Sequence, residues 1–599
     1  MMKRLNFFVY ANILLALLFS ALSISFHADI SMLALPISLV FTVLIGYVSI
    51  FHLLKSEDVR HLDTVRRFFQ YEPFVFITAF VLQRAGHFAM PRIMDVASAV
   101  VWVLITVISF VIQFFLSEKR VYSYNEKWEK YHQANPKTKA HGLKRVGIEI
   151  LEWVDALVQA VFTIVLLNIF VFQLYEIPSE SMVSTFLIGD RVAVMKTLAG
   201  PKFPLTDVGL PYVQDYERGD VVVFRNPHYA SDRKNEVKTF LSQFVYMITL
   251  TFVKTNTDEN GKLKADPLVK RVTGEPGEQL MMMDGKLYAR TKDSAFTQVE
   301  ADSDWAVWNL NGLPRAIKQK VEYFPFGQDI WEDTLRTEEE RRNLDLVSAK
   351  LECQSLTEKF RELTGKAGDG NVPSSLFSSE ELFPYNVFSR IDDFTYRLMT
   401  VDGGDSWFVH YMNDWYEGMG NLADYHENQI VVGSHLVGGD LYTDSKFRLN
   451  LMSKLTFGRL VVRNLEMIDE RIDSAKWGGD SKRMDYLDAA HRLVNYIAMM
   501  DQRNMGLFPA NDDKGNPSYI PENCYFMMGD NRYNSLDMRH SYDQTLVPLY
   551  EKDPYSVRYY TFLAPQYVNR AKILGKASLR IWPFNRFGKP GRKNQQGNN

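Results

Sequence analysis

Cysteine and an excess of charge of either sign are scarce in this chain of 599 residues. It has two cysteines, Cys353 and Cys524, and a formal net charge of −3. Two cysteines could form one disulfide on an oxidising side of the membrane, but they cannot form the disulfide framework that stabilises small secreted domains, and we favour two unpaired thiols. The near balance of charge gives no reason to expect a nucleic-acid partner. Zinc-ligand spacings and a His-Glu-x-x-His motif are also missing, which disfavours a metalloprotease, and no cofactor or metal is indicated.

Uncharged apolar segments are concentrated in the first 175 residues. Four are long enough to cross a bilayer: 7–26, 32–51, 96–116 and 156–174. Segment 68–82 is weaker, because it contains Glu72 and is followed by Arg84. We count it as a fifth span, so the sequence predicts a membrane region at 1–175 with about five transmembrane helices.

The distribution of Lys and Arg supports an odd number of spans. With five spans, the basic segments 1–5, 52–67 and 117–147 all fall on one side of the membrane. The positive-inside rule then places the N-terminus in the cytoplasm and everything after residue 174 outside the plasma membrane. Four spans would place the rest of the chain in the cytoplasm. The extra spans predict anchoring in the lipid bilayer and would allow contact with the secretion machinery.

The remainder of the chain carries strand signals. Short apolar runs next to turn residues predict strands at 192–195, 221–224, 279–283 and 286–288. We therefore expect a mostly antiparallel β domain, formed by 176–290 and 506–588. The apolar segment 240–252 is interpreted as a buried helix or strand, with a segment lying in the membrane interface as the alternative.

An insertion at 291–505 separates the two parts of this β domain. A capping box at Thr337 and a stop at Gly365 predict one helix over 337–365. Between them lies one apolar stripe, formed by Leu346, Ala349, Cys353, Leu356, Phe360 and Leu363. Two more helices are predicted at 447–472 and 482–500. Amphipathic helices of this kind pack on each other, so we expect the three helices to form a lobe that stands on the β domain, away from Ser181. The polar tail, 589–599, is expected to be disordered.

A serine-containing stretch joins the membrane region to the β domain. It begins Ile-Pro-Ser-Glu-Ser-Met at Ile177, and Pro178 holds the preceding residue extended. Ser179 and Ser181 then lie on a short irregular segment where a hydroxyl can be exposed. Serines near a proline are usually turn or cap residues, so this stretch alone is weak evidence for a nucleophile.

Lys270 could supply the base that a serine nucleophile needs. A lysine acts as a base only when neutral, and burial without a counter-ion can lower its pKa by up to ~3–5 units. Its neighbours Leu268, Val269 and Val272 are apolar. Arg271 would point to the opposite face of the strand.

Three stretches together resemble the boxes of type I signal peptidases, which are membrane-anchored serine proteases with a Ser/Lys dyad. They are the serine stretch, residues 269–278 around Lys270, and residues 525–539, which read Tyr-Phe-Met-Met-Gly-Asp-Asn-Arg-Tyr-Asn-Ser-Leu-Asp-Met-Arg. The resemblance covers 153–227, 267–288, 521–539 and 573–588. It implies a coiled, mostly antiparallel β fold on the outer side of the membrane. It also implies a hydrolase that removes signal peptides ending in Ala-x-Ala from exported preproteins.

The resemblance also implies residue roles. Ser181 would be the nucleophile and Lys270 the general base, and the Ser179 hydroxyl would form an oxyanion hole with the Ser181 backbone N–H. The supporting residues would be Ser535 holding the Lys270 amine, an Asp537–Arg539 ion pair, an Arg271–Asp530 pair, and Gly529 for close backbone approach. Shallow apolar substrate pockets would be lined by Ile177, Met182, Phe186, Leu268 and Val269, although core packing explains each of these five about as well.

Glu180 is the departure from the family pattern that matters most. The family usually has glycine there, and a carboxylate beside Lys270 would stabilise the ammonium form. We therefore expect the Glu180 side chain to point to solvent. Phe186, where leucine is usual, would shrink a pocket.

Two other functions fit parts of the sequence. A self-cleaving repressor also uses a Ser/Lys dyad, but the five spans and the lack of a DNA-binding module argue against it. A membrane scaffold with a degenerate protease fold is the second alternative. Retention of Ser179, Ser181, Lys270, Ser535 and Asp537 argues against that scaffold.

Overall fold

The structure is a computed structural model. It describes residues 2–26, 34–54, 59–86, 91–134, 142–213, 215–228, 233–249, 253, 255, 266–366, 404–425 and 435–590. Most of the predicted tail and the end of segment 240–252 lie outside these residues.

Helices dominate both the N-terminal region and the insertion. In chain order they are α1 Met2–Phe26, α2 Ala34–Val48 with a π-helical extension Ser49–Leu53, α3 Val59–Gly86, α4 Arg92–Phe115, α5 Glu118–Tyr124, α6 Glu126–Ala134, α7 Leu143–Phe170, α8 Arg233–Ile248, α9 Glu300–Ser303, α10 Arg315–Lys318, α11 Gln328–Arg342, α12 Leu346–Lys366, α13 Gly404–Asn413, α14 Leu441–Asp469 and α15 Ser481–Arg503.

The strands lie mainly in the part of the chain that follows the N-terminal helices. They are β1 Phe172–Glu176, β2 Arg191–Met195, β3 Val221–Phe224, β4 Leu268–Gly274, β5 Gln279–Met283, β6 Lys286–Arg290, β7 Thr297–Gln298, β8 Met505–Phe508, β9 Cys524–Met528, β10 His540–Pro548, β11 Arg558–Leu563, β12 Val568–Asn569 and β13 Ile573–Trp582.

The N-terminal helices form a bundle in which α3 contacts α1 and α4, and α2 contacts the same two helices. Among the described residues, three segments are long and apolar enough to cross a membrane: Leu35–Leu53, Arg92–Phe115 and Arg145–Phe170. Helix α1 adds the shorter apolar stretch Phe7–Leu18. The predicted spans 7–26 and 68–82 fall within α1 and α3, and their crossing of a membrane stays a prediction.

Helix α3 places an acidic side chain in the interior of the bundle. Glu72 is buried and accepts hydrogen bonds from Asn12, Thr42 and Ser109 on the three neighbouring helices. By contrast, α4 and α7 expose large apolar side chains: Val100, Leu104, Val107 and Phe110 on α4, and Val146, Ile150, Trp153 and Leu157 on α7. A contiguous apolar surface of this kind is rare on soluble monomers.

The β domain is antiparallel throughout its named strand pairs, which confirms the antiparallel β part of the expected fold. A seven-stranded sheet has the order β1-β2-β13-β3-β4-β9-β12, and a four-stranded sheet has the order β7-β6-β5-β8. Strands β10 and β11 form a separate ribbon. Buried residues of β3, β4, β5 and β9, including Phe224, Val272, Met282 and Phe526, form one core between the sheets. All four predicted strands are confirmed.

The predicted helix over 337–365 is wrong in its start. Two helices, α11 and α12, occupy this region, and Thr337 lies inside α11, where its hydroxyl donates to Asp333 O at 2.8 Å. The N-terminal cap of α12 is Asp345, whose carboxylate accepts the N–H groups of Val347 and Ser348. Asp345 supplies the cap chemistry that the sequence analysis assigned to Thr337.

The expected apolar stripe lies on α12 and packs on α14, with α13 beside it. Its buried members are Leu346, Ala349, Cys353, Phe360 and Leu363. Helices α14 and α15 confirm the predictions at 447–472 and 482–500, and α8 confirms a helix for the described part of segment 240–252. Cys353 and Cys524 are both free and buried, as expected.

Candidate functional site

The predicted nucleophile lies on a short 3₁₀ turn, Glu180–Met182, that follows edge strand β1. Ile177 N–H donates to Asp190 O at 2.8 Å, and Gly189 N–H donates to Ile177 O at 2.9 Å, so the stretch forms a closed loop. Gly189 has φ +82°, a conformation that glycine adopts without strain. From outside the loop, Asn531 N–H donates to Ser181 O at 3.1 Å. These contacts fix the turn that presents the Ser181 hydroxyl.

Lys270 lies on β4 with its amine directed at that hydroxyl. Lys270 Nζ is 2.7 Å from Ser181 Oγ, and the lysine side chain is almost fully buried. Burial lowers the pKa of Lys270 to about 8; Asp537 and Asp530 oppose this shift, and Arg539 adds to it. Roughly a tenth of the amine is therefore neutral at pH 7, and the neutral form is the one that can act as a general base.

Ser179 lies on the other side of the Ser181 hydroxyl. Its Oγ is 3.3 Å from Ser181 Oγ, and its backbone is extended at φ −141° just before the 3₁₀ turn. The Ser179 hydroxyl and the Ser181 backbone N–H are thus available on one short segment. Two donors close to a nucleophile are the geometry in which an oxyanion can be stabilised.

Arg271 and Asp530 form a buried bidentate pair behind the dyad. Arg271 Nε and Nη2 donate to the two carboxylate oxygens of Asp530 at 2.7 and 2.6 Å. Thr185, which the sequence analysis missed, donates to Asp530 at 2.6 Å and accepts from Arg271 Nη2 at 3.0 Å. The three side chains join β4, the loop of residues 177–190 (called here the serine loop) and the segment after β9. They therefore fix the positions of the elements that carry the dyad relative to each other.

Asp537 and Arg539 form a second buried pair with a different role. Arg539 donates to both carboxylate oxygens of Asp537 at 2.9 and 3.0 Å, and Gly529 N–H donates to Asp537 Oδ2 at 2.8 Å. Burial would raise the pKa of Asp537, but Arg539 and its hydrogen bonds hold that pKa well below its usual range. Asp537 therefore stays ionised and anchors the backbone at Gly529.

Ser535 and Gly529 are in close contact below the dyad. A Cβ built on Gly529 would lie 2.1 Å from Ser535 Oγ and 2.5 Å from Ser181 O, so only glycine fits. Ser535 is buried, and its Oγ has no hydrogen-bond partner among the described residues. The hydrogen bond from Ser535 to Lys270 that the resemblance implies is therefore not formed in this structure.

The five predicted pocket residues do not form one surface. Ile177, Met182 and Phe186 are almost fully buried in a cluster with residues of β2 and β3, and Val269 packs at its edge. Leu268 packs instead against the core between the two sheets. Core packing accounts for the burial of the first three, and their contact with a substrate stays a prediction.

Glu180 is where the structure corrects the sequence analysis. Its side chain is only 5% exposed and does not point to solvent. The carboxylate accepts the backbone N–H of Glu322 at 2.5 Å and that of Tyr323 at 3.3 Å, and Asn534 Nδ2 donates to it at 3.3 Å. Glu322 and Tyr323 belong to the insertion, so their donors could not be foreseen from the sequence around Ser181.

Part of the insertion, N-terminal to the predicted helical lobe, lies against the serine loop. Residues 302–326, called here the cover segment, contribute Val307, Leu310, Leu313 and Val321 to a cluster with Val183 and Leu187 of the serine loop. Val307 N–H donates to Asp530 O at 2.7 Å, and Arg532 N–H donates to Val307 O at 3.0 Å. This strand-like pairing was missed because a single bridge leaves no alternating apolar pattern.

His540 is a titratable side chain close to the site. It is buried, and its Nδ1 is 3.8 Å from Asp537 Oδ1. Burial first, and then Arg539, lower the pKa of His540 to about 4, so the imidazole is neutral at physiological pH. Lys270, and not His540, is the side chain whose basic atom contacts the Ser181 hydroxyl.

Comparison with known proteins gives one matching family model. Residues 150–329 and 469–582 match the family described as signal peptidase, peptidase S26. Residues 330–468, with α11 to α14, lie between the two matched segments. The cover segment lies inside the first matched segment, so the match extends beyond the boundary at residue 290 that the sequence analysis expected.

Curated proteins with similar sequences are signal peptidases of bacteria. The chain is 27% identical over 161 residues to signal peptidase I of Pseudomonas aeruginosa, which is 26% of this chain and 56% of that protein. It is 24% identical over 181 residues to signal peptidase I of Haemophilus influenzae, covering 30% of this chain and 45% of that protein. It is 25% identical over 202 residues to signal peptidase I T of Bacillus subtilis, covering 33% of this chain and 78% of that protein. The chain thus spans about half the length of the first two of these relatives.

Proposed function

Because the chain belongs to the S26 family of signal peptidases, we propose that it is a membrane-anchored serine endopeptidase that removes signal peptides from exported preproteins. The observation that carries the proposal is the 2.7 Å contact between Lys270 Nζ and Ser181 Oγ in a buried site. No cofactor is needed for this chemistry, because the lysine supplies the base and the serine the nucleophile.

The reaction begins with neutral Lys270. As Ser181 Oγ attacks the carbonyl carbon of the scissile peptide bond, its proton passes to Lys270 Nζ. With a pKa of about 8, roughly a tenth of the amine is neutral at pH 7. The negative charge on the carbonyl oxygen is stabilised by the Ser179 hydroxyl and the Ser181 N–H, each donor typically contributing ~3 kcal/mol.

The second half of the reaction reverses the proton flow. The Lys270 ammonium gives its proton to the leaving amine as the C–N bond breaks, which leaves the signal peptide as an ester on Ser181. Lys270, neutral again, then removes a proton from a water molecule that attacks the ester carbonyl. As the ester C–O bond breaks, Lys270 returns this proton to Ser181 Oγ, so the product acid departs and the Ser181 hydroxyl is restored.

An unpaired sheet edge supports binding of an extended substrate. Strand β4 pairs with β3 over Leu268 to Arg271, but it pairs with β9 only from Arg271 onward. On the β9 side, the edge of residues 268–270 therefore has no strand among the described pairs. An extended preprotein segment added along this edge would place a carbonyl near Ser181. The family resemblance implies that Ile177, Met182 and Phe186 line shallow pockets at this edge, and such pockets would favour small side chains such as those of Ala-x-Ala.

The placement relative to the membrane belongs to the same proposal. Helices α1 to α4 and α7 would be five spans, with the N-terminus in the cytoplasm and the β domain outside the plasma membrane. The apolar surfaces of α4 and α7 and the basic loops support this arrangement.

The test is cleavage of a preprotein whose signal peptide ends in Ala-x-Ala, with the full-length protein in detergent. N-terminal sequencing of the product should give a single cut directly after the second alanine. A matched preprotein with phenylalanine at that alanine should be cut at least about 100-fold more slowly, because a shallow pocket would exclude the larger side chain. Equal cutting of both preproteins, or cutting elsewhere, contradicts the proposal.

A further inference from the structure

Glu180 is a buried carboxylate next to the nucleophile, and its partners come from two separate parts of the chain. Glu322 and Tyr323 of the cover segment donate backbone N–H groups, and Asn534 donates from the segment after β9. The backbone of Glu180 is also held, because Asn531 Nδ2 donates to Glu180 O at 3.2 Å. Both the carboxylate and the backbone carbonyl of Glu180 are therefore held by hydrogen bonds.

The cover segment is itself firmly attached, so it can serve as a fixed support. Its four apolar side chains pack on Val183 and Leu187 directly after the nucleophile turn. Asp302 at its start forms a buried ion pair with Arg532 at 2.5 Å. Breaking a buried pair of this kind is strongly unfavourable, so the donors to Glu180 have little freedom to move.

We propose that Glu180 is a positioning residue. Backbone N–H groups of the cover segment hold its carboxylate, and this keeps the Ser179–Ser181 turn in the conformation that directs the Ser181 hydroxyl at Lys270. The inference rests on the proposed function, since it concerns turnover at Ser181. Hydrogen bonds to an ionised acceptor are shorter and stronger than neutral ones, so a carboxylate holds the turn better than an uncharged side chain would. The flanking residues 179 and 181 carry the two hydroxyls, and rotation at residue 180 would move both.

The same contacts explain how a carboxylate can stand beside a lysine that must lose its proton. The described hydrogen bonds of the Glu180 carboxylate run to Glu322, Tyr323 and Asn534, on the side of the cover segment. Lys270 Nζ points to Ser181. The negative charge of Glu180 is therefore stabilised by two backbone N–H groups and the Asn534 amide, and it is not paired with the Lys270 ammonium.

The test compares Glu180→Ala, Glu180→Gln and the wild-type protein, full-length and purified in detergent, on one preprotein substrate. Glu180→Ala should lower kcat about 100-fold and change KM less than about threefold, because small misplacements of a reacting group cost about this much. The pH at which kcat/KM is half-maximal should not move. Glu180→Gln keeps one acceptor oxygen and should lose about 10-fold, a partial rescue.

The matched control is Asp444→Asn on α14. Asp444 is also a buried carboxylate that accepts a backbone N–H, from Val437 at 3.1 Å, and an arginine, Arg448, at 2.7 Å. It belongs to the helical lobe, so its loss should lower the thermal midpoint without changing kcat below that midpoint. Wild-type kcat in Glu180→Ala overturns the proposal. So does a shift of the half-maximal pH, since Glu180 would then act on the charge of Lys270.

Asn534→Ala keeps the test decisive if Glu180→Ala does not fold. It removes one donor and leaves the carboxylate, so kcat should fall about threefold to tenfold, and an unchanged kcat contradicts the positioning role of Glu180.

Amide hydrogen exchange gives a readout that does not need activity. The amides of Glu322 and Tyr323 should exchange at least about 10-fold faster in Glu180→Gln than in the wild type, while those of Asp444→Asn stay protected. If exchange responds in this way but the wild type cleaves no preprotein, the proposed function is wrong, but the cover segment does hold the Glu180 carboxylate. If exchange does not respond, the cover segment does not hold the carboxylate and the proposal is wrong.

Discussion

Gly529 lies against Ser181 so closely that a Cβ at residue 529 would come 2.5 Å from the Ser181 carbonyl oxygen. The position of this glycine is set by Asp537, which accepts its N–H and is paired with Arg539. The nucleophile turn is therefore supported from below by a backbone that has no room for a side chain.

Gly529→Ala should abolish cleavage by displacing the Ser181 turn. Contacts below 3.0 Å with backbone atoms cannot be relieved by rotating a side chain, so the turn itself must shift. Gly365→Ala at the end of α12 is the control, because a Cβ there meets nothing within 4 Å. Initial rates of preprotein cleavage decide the matter, and comparable rates for the two variants would refute the close approach.

Cleavage should depend on pH through the Lys270 amine. The base works only when neutral, and burial lowers its pKa to about 8, so kcat/KM should rise with pH through about 8 and level off above it. Below that value, each unit of pH should cost about tenfold. The profile is measured from pH 5 to 10 in one buffer mixture.

Lys196 provides the control for this assignment. Burial, with a smaller contribution from Arg225, lowers its pKa to about 7, and its Nζ donates to Asn168 O at 2.9 Å, whereas Lys270 Nζ contacts Ser181 Oγ. Lys196→Met should leave the profile unchanged. A profile that moves in Lys196→Met, or that shows no rise near pH 8 in the wild type, contradicts the role of Lys270.

Arg539→Ala should strongly destabilise the β domain. The substitution leaves the Asp537 carboxylate fully buried without its bidentate partner, which costs about 3–5 kcal/mol in the free energy of unfolding. Arg336→Ala removes an exposed pair with Glu340 on α11 and should change that free energy by less than about 0.5 kcal/mol. Urea unfolding of both variants measures the difference, and equal losses would show that the buried pair is not a support.

Reporter fusions test the membrane arrangement. A reporter after Asn599 should give the signal expected outside the membrane, and one inserted within 124–139 should give the cytoplasmic signal, because the basic loops favour that side. A cytoplasmic signal from the first fusion would mean that the chain crosses the membrane an even number of times. In that case α3, with its buried Glu72, would be the helix that does not cross.

Local patterns in the sequence predicted much of this structure. Strands β2, β3, β5 and β6 follow apolar runs beside turn residues, and Ser181 and Lys270 lie in the boxes that suggested them. These features depend on neighbours in the chain. The cap of α12 was misplaced because two competing polar residues, Thr337 and Asp345, both precede apolar positions of the stripe.

Contacts between distant segments could not be predicted in the same way. Glu180 is satisfied by N–H groups 142 and 143 residues further along the chain. A backbone N–H is present at every non-proline residue, so the amino-acid sequence does not indicate which of these groups will donate to a distant carboxylate. The same holds for the bridge between Val307 and Asn531. Phe186 and Leu268 illustrate a related limit, since a single sequence does not separate a residue that packs in a core from one that lines a pocket.

Turnover of one preprotein by a set of dyad variants tests the central claim most directly. Ser181→Ala, Lys270→Ala and Lys270→Arg should each lose about 10⁴-fold or more in kcat, and the double alanine variant should be no slower than either single one, because the two residues act as a unit. Lys270→Arg is informative because it keeps a positive charge but cannot become neutral. Circular dichroism of each variant should match that of the wild type. Substantial cleavage by folded Lys270→Ala or Lys270→Arg would contradict the Ser181–Lys270 dyad.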